Sequence, residues 1–267
     1  MFMLTHTYFL QKMLNQAGMQ DVEPDIYVYN IVPDLLAIHP QISPAKTHIL
    51  QRSLEIPQQY PKSIYVILHL FVDDLSHHGH ICSDSQEEFS LNSQGYSYVK
   101  GMPLVQSIID IHKMTGKDIA YNEAVYQSHL IIEMIYDLVI INHLRSYNTI
   151  EILVEAIKYT VNHKMHEFVD TVKWLYDIHE NETNDVMKNA LYFITKEGMN
   201  EIMNIEGRMK LYKDKFGLHS DQQLFYNTLK DLFERAVDLI HDDELFFSET
   251  VQVIKNYNNF NFIKPLS

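Results

Sequence analysis

The sequence predicts an all-α fold: a compact multi-helix domain with a metal cluster between its helices. Three observations predict it. Apolar residues recur at helical spacing along most of the chain, and strand-like alternation is rare. Only 8 Gly and 8 Pro punctuate 267 residues, so few turns are obligatory. Histidine and carboxylate occur four apart, as HxxxD and HxxxE, a spacing that puts both on one helix face.

In chain order, the first amphipathic helix is expected over residues 5–17. "PDIYVYNIVPDLLAIHPQISPAK" is broken by Pro24, Pro33, Pro40 and Pro44, so it should be irregular with short helical turns. A helix should start after Pro61 and run through Asp73 into a histidine cluster. Residues 82–102 are polar, with little periodicity, and read as a long loop. Helices should follow near 103–114, 119–146, 149–178, 184–198, 199–213, 221–241 and 244–256. In the 221–241 stretch Leu224, Leu229, Leu232, Phe233, Val237 and Leu239 form the apolar stripe. This reads as one helical domain over 1–267. Its 1–147 half carries the site and the inserted loop 82–102; its 148–267 half completes the core and could mediate a homo-oligomer. A weak seam falls near 147–150.

Composition narrows the function. The formal charge is −14, which disfavours nucleic acid and anionic membrane surfaces. A single cysteine, Cys82, allows no internal disulfide and suits a reducing compartment. The start "MFMLTHTYFLQKML" lacks the marks of a signal peptide. The most apolar run, Leu130 to Ile141, is too short to span a bilayer and carries Glu133 and Asp137. The expectation is a cytoplasmic protein without stable membrane insertion.

The chemistry concentrates in "VILHLFVDDLSHHGH". His69 and Asp73 share a helix face. His77 lies about 80° from His69, and His80 about 20° if the helix continues past Gly79. Asp74 and His78 should point away, to solvent. Imidazole with carboxylate is a donor set for Zn, Mn or Fe, although a polar helix end would look the same. "HLIIE" repeats the pattern on the most apolar helix. There the buried Glu133 needs a cation or hydrogen bonds, so a metal and a salt bridge are both open. Asp137, one turn later, suits a Lys or Arg partner. His6, Asp34, His39 and His48 read singly as ordinary polar residues. Tyr27, Tyr29, Tyr65 and Tyr126 either line a pocket or belong to the core.

Taken in order, His6, Asp34, His48, His69-x3-Asp73, a further His and His129-x3-Glu133 resemble the zinc-dependent phospholipase C family, an all-α family related to the P1-type nucleases. The resemblance covers residues 1–140 or so and suggests a divergent intracellular member. It implies that Asp34, His48, His69 and Asp73 hold one metal and that a later histidine, His129 and Glu133 hold a second. It also implies that His6 and Asp73 reach a third. Zn²⁺ is the expected ion, two or three per chain, with Mn²⁺ or Fe as alternatives. The sequence departs from the family in three places. Extracellular members complete the third site with a processed N-terminal amine, whereas this chain begins at Met1 near His6. The family's next histidine lies six residues beyond the Asp, where this chain has Gly79. Of His77, His78 and His80, helical phase favours His77, then His80. Finally, the segment before HxxxE is longer here.

The resemblance implies a metal-dependent hydrolase of a phosphoester, a lipid head group or small phosphodiester, using a metal-activated water with Asp34 as general base. No GxSxG supports a serine nucleophile, and Cys82 near His80 is the one thiol–imidazole pair to consider. The alternatives are a non-catalytic helical metal-binding or interaction protein and an HD-type phosphohydrolase. The HD type expects adjacent His-Asp on one helix, and no such dipeptide is expected on the helices here.

Overall fold

The computed structural model describes residues 2–19, 21–82, 93–142 and 148–257. Among these every regular element is helical, as the periodicity predicts. The first helix, α1 (Met3–Gln16), leads into three short helices, α2 (Ile26–Asn30), α3 (Val32–Leu36) and α4 (Pro44–Thr47). These are the helical turns expected of the proline-broken stretch. Pro33 and Pro44 sit in first turns, where a missing N–H costs nothing.

Two long helices then organise the fold, α5 (Ser63–His77) and α8 (Tyr121–Asn142). Both are apolar around nearly their whole circumference, so both are wrapped by other helices. By length and composition α8 could cross a membrane, which the shorter run Leu130 to Ile141 does not suggest. However, 94% of its apolar window is buried inside the protein, as in a core helix.

Between them lie α6 (Tyr96–Gly101), a 3₁₀ turn (Met102–Leu104) and α7 (Val105–Met114). The loop expected over 82–102 is therefore helical at its end; residues 83–92 lie outside those described. Gly101 explains part of this: a Cβ there would sit 2.7 Å from Ser128 Oγ, so only glycine lets α6 lie so close to α8.

The second half comprises α9 (Asn148–Tyr159), a π-helical turn (Thr160–Lys164), α10 (Met165–Tyr176), α11 (Glu180–Phe193), α12 (Lys196–Ile202), α13 (Ile205–Phe216), α14 (Gln223–Leu239) and α15 (Asp243–Lys255). The end of the 119–146 helix and the start of the expected seam, 143–147, lie outside the described residues. Here α9 packs on α1 and α2, α13 and α14 on α8, and α15 on α5. One apolar core cluster consequently runs from Leu4 to Ile254. The core stripe of α14 is Phe225, Leu229, Leu232, Phe233 and Ala236. Leu224, expected in it, is 65% exposed because it falls at the helix's first turn, beyond the neighbouring helices.

Candidate metal centre

The two wrapped helices carry the two spaced motifs, so Asp73 and Glu133 end up inside the protein, 4% and 3% exposed. Around Asp73 gather three imidazoles from three parts of the chain. His6 Nε2 from α1 lies 3.2 Å from Asp73 Oδ1. His69 Nε2 from α5 lies 3.2 Å from Oδ2, and His48 Nε2, just after α4, lies 3.3 Å from the same oxygen. Asp34 Oδ1 on α3 completes the group, 3.9 Å from His48 Nε2 and 4.0 Å from His69 Nε2. The rings of His6 and His69 stack at 3.6 Å.

Backbone carbonyls set the tautomers. Asn30 O accepts from His69 Nδ1 at 2.9 Å, and Pro44 O accepts from His48 Nδ1 at 2.8 Å. A carbonyl only accepts, so each Nδ1 carries the proton and each Nε2 is left to face the carboxylates. Asn30 also donates its side-chain N–H to His6 O at 2.8 Å, tying α1 to α2. His69 Nε2, both ring nitrogens of His6 and Asp34 Oδ2 are buried without a hydrogen-bond partner among the described residues. A neutral nitrogen lone pair held 3.2 Å from a carboxylate oxygen is repulsive unless a proton or cation lies between them.

The second group is His77, His129 and Glu133. His77 Nε2 lies 2.8 Å from Glu133 Oε1, and Ser76 Oγ donates to the same oxygen at 3.5 Å. The Tyr98 ring, delivered by α6, stacks on His129 at 4.3 Å, with Tyr126 edge-on at 4.9 Å.

Electrostatics follow from this burial. Burial lowers His6 to about 4 and His129 to about 3, and it lowers His69 as well, so these rings stay neutral. Burial raises Asp34 to about 6, helped by the nearby Asp73. For His48 burial works the other way but loses to the hydrogen bond and charge of Asp73, which raise it. Burial opposes ionisation of Asp73 and Glu133, but the hydrogen bonds they accept, from His48 on Asp73 and from His77 on Glu133, help hold both below the usual carboxylate range.

Can these residues hold a metal? Donor atoms on a tetrahedral zinc, each about 2.0–2.1 Å from the ion, stand about 3.3 Å apart. The His–carboxylate separations here run from 2.8 to 4.0 Å and bracket that value. The donor set is imidazole and carboxylate, with carbonyls behind the imidazoles, so the residues fit the group. Both clusters meet one cleft of about 550 Å³, lined by Asp34, His48, Asp73, His77, His129 and Glu133.

Several sequence expectations need correction. His80 does not join the site. Gly79 adopts φ +79° and ends α5, leaving His80 exposed with Nδ1 on the His78 carbonyl. Asp74 does not face solvent; it is 2% exposed, because Arg52 closes on both its oxygens at 2.9 and 2.6 Å and the Cys82 N–H reaches Oδ2 at 3.0 Å. His78 is half-buried and lines the cleft. Cys82 is buried, not displayed in a polar loop. Of the tyrosines, Tyr27 and Tyr29 are core residues, Tyr65 packs half-buried against the core, and Tyr126 lines the cleft. The chain's His-Asp dipeptide, His241–Asp242, lies between α14 and α15, where Asp242 binds Lys100 and Tyr96. Asp137 finds the basic partner expected of it, Arg208, at 3.0 Å.

Sequence reading missed Asn30, the Pro44 carbonyl, Ser76 and Tyr98. A carbonyl carries no residue signature, and Tyr98 sits in a stretch without periodicity. Comparison of the chain with protein-family models, with curated proteins and with solved structures finds no match.

Proposed function

We propose that this protein is a metal-dependent hydrolase of a small phosphoester, a divergent relative of the zinc-dependent phospholipases C, with zinc the expected ion. One observation carries the reading. Five histidines and three carboxylates, His6, His48, His69, His77, His129, Asp34, Asp73 and Glu133, gather into groups beside one cleft. Their order along the chain is the order that the resemblance implies.

Divalent ions held there would supply the Lewis acid that lowers the pKa of water and balances charge on a phosphoryl group. The rest is the work of this chain's residues. The Asn30 and Pro44 carbonyls hold His69 and His48 with Nε2 free to ligate. Asp34, half-buried at the cleft with Oδ2 lacking a hydrogen-bond partner among the described residues, would orient an attacking water and accept its proton. Tyr98 and Tyr126 wall the cleft beside His129. Water attacks phosphorus, and the bond to the leaving alcohol breaks.

The test is elemental analysis of protein purified without a histidine tag, followed by hydrolysis of bis-p-nitrophenyl phosphate with added Zn²⁺ or Mn²⁺. Two or more ions per chain, with hydrolysis that Asp34→Asn depresses about a hundredfold, is the expected outcome. A metal-free protein whose fold ignores chelators would overturn the metal reading. Metal without hydrolysis would leave a non-catalytic metal-binding protein.

A further inference from the structure

The cleft's basic residues point to the charge of the substrate. Arg52 and Lys215 are the lysine and arginine side chains among the described residues that line it. Arg52 is fully committed, with Nε and Nη2 on Asp74 and Nη1 on the His48 and Leu50 carbonyls at 3.1 and 2.6 Å. Lys215 is exposed and forms no ion pair with a described residue.

Its place in the cleft is built by the second half of the chain. Arg208, Tyr212 and Lys215 lie at 0°, about 40° and about −20° around α13, on a single face. The first two are anchored on α8. Arg208 Nη2 donates to Asp137 Oδ2 at 3.0 Å, and Tyr212 OH donates to Gln127 Oε1 at 2.6 Å. Both anchors are buried, and they bracket His129 and Glu133 on that helix. Lys117 then closes the end of α13, its Nζ donating to Gly217 O at 2.7 Å and Phe216 O at 3.4 Å. Lys215 thus projects from a pinned helix end, not a loose loop.

Charge counting gives this lysine a role. Two divalent ions would bring four positive charges; Asp34, Asp73 and Glu133 would return three negative ones. Arg52 cancels Asp74. The loaded centre would be left with one positive charge, enough for the single charge of a phosphodiester. Lys215 would add a second, on a protein whose net charge of −14 disfavours dianions in general.

We infer that Lys215 is a specificity residue that reads a second anionic group on the substrate, so that the preferred substrate is a phosphodiester bearing a carboxylate or further phosphate on its alcohol. This rests on the phosphohydrolase reading. The experiment compares two diesters with the same leaving group, carboxymethyl p-nitrophenyl phosphate and ethyl p-nitrophenyl phosphate, on the zinc-loaded full chain. The wild type should favour the carboxylated diester, chiefly through KM. K215A should lower the ratio of the two kcat/KM values about tenfold, K215E further, and K215R should restore it. A wild type without that preference, or a preference that K215A leaves intact, overturns the inference alone. A zinc-loaded wild type that cleaves neither diester overturns the phosphohydrolase reading and this inference with it.

Discussion

The two ligand groups differ in how they would stand without a metal. Around Asp73, three imidazole nitrogens and the Asp34 carboxylate face inward at 3.2–4.0 Å, with buried atoms lacking hydrogen-bond partners among the described residues. Around Glu133, His77 makes a 2.8 Å hydrogen bond to the carboxylate, and Ser76 adds another contact. The first group is a cage whose members repel or leave each other unsatisfied. In the second, His77 and Glu133 satisfy each other by a hydrogen bond, and His129 Nδ1 alone is buried without a hydrogen-bond partner among the described residues. The difference teaches that the same donor types can be held by opposite means. The cage relies on carbonyls and helix packing to force its donors together; the pair holds itself.

The sharpest way to break this contrast is to remove each carboxylate in turn. Asp73 touches His6, His48 and His69, whereas His77 and Ser76 contact Glu133. Asp73→Ala should therefore empty the whole cage and lower kcat/KM about a thousandfold or more. Glu133→Ala should cost only the ion of the second group. Inductively coupled plasma analysis of the two variants decides; equal losses would mean that the groups act as one unit.

A buried network holds the two groups in register, and cutting it should have the next largest effect. Asp137 Oδ1 accepts from the N–H and hydroxyl of Thr5 at 2.9 and 2.7 Å, next to His6, while Oδ2 meets Arg208. One carboxylate thus docks α1 on α8, one turn from Glu133. Arg208→Met leaves Asp137 charged and buried and should destabilise the protein by about 3–5 kcal/mol. Asp137→Leu together with Arg208→Met should recover part of that loss. Denaturant midpoints measure both.

The groups should also answer differently to acid in the metal-free protein. His129 is held neutral down to about pH 3, whereas the unfolded imidazole titrates near 6.5. As pH falls through that window the unfolded chain takes up the proton first, so stability is lost. Depressed Glu133 acts in the same direction, losing its contribution only in stronger acid. In the cage, His6 and His69 behave likewise, but Asp34, raised to about 6, and His48, also raised, run the other way. His129→Phe should therefore flatten the dependence of melting temperature on pH from about 6.5 down to about 3, and His6→Phe only down to about 4. The smallest effect belongs to His80→Ala, which should change neither metal content nor stability by more than about 0.5 kcal/mol.

Much of this was legible in the residues. The pairs His69–Asp73 and His129–Glu133 follow from i, i+4 geometry, which holds on any helix. The helical class follows from periodicity, and the short turns after Pro24 follow from the fixed φ of proline. His6, Asp34 and His48 carry no local signal; their order along the chain singled them out. The choice of His77 rested on phase, but its rejection of His80 depended on Gly79 entering the left-handed region. Asp74 misled because phase alone places it outward, and Arg52, 22 residues away, covers it.

The sequence by itself determined the helices and the residues that each can present on one face, because those are properties of backbone geometry over a few turns. Tertiary structure decided which faces meet. The Asn30 carbonyl behind His69, Tyr98 over His129, Arg208 under Asp137 and Lys215 at the cleft join residues from 31 to 71 positions apart or more. Such contacts are set by how apolar stripes pack and by which buried charges must find partners, and no local spacing encodes either.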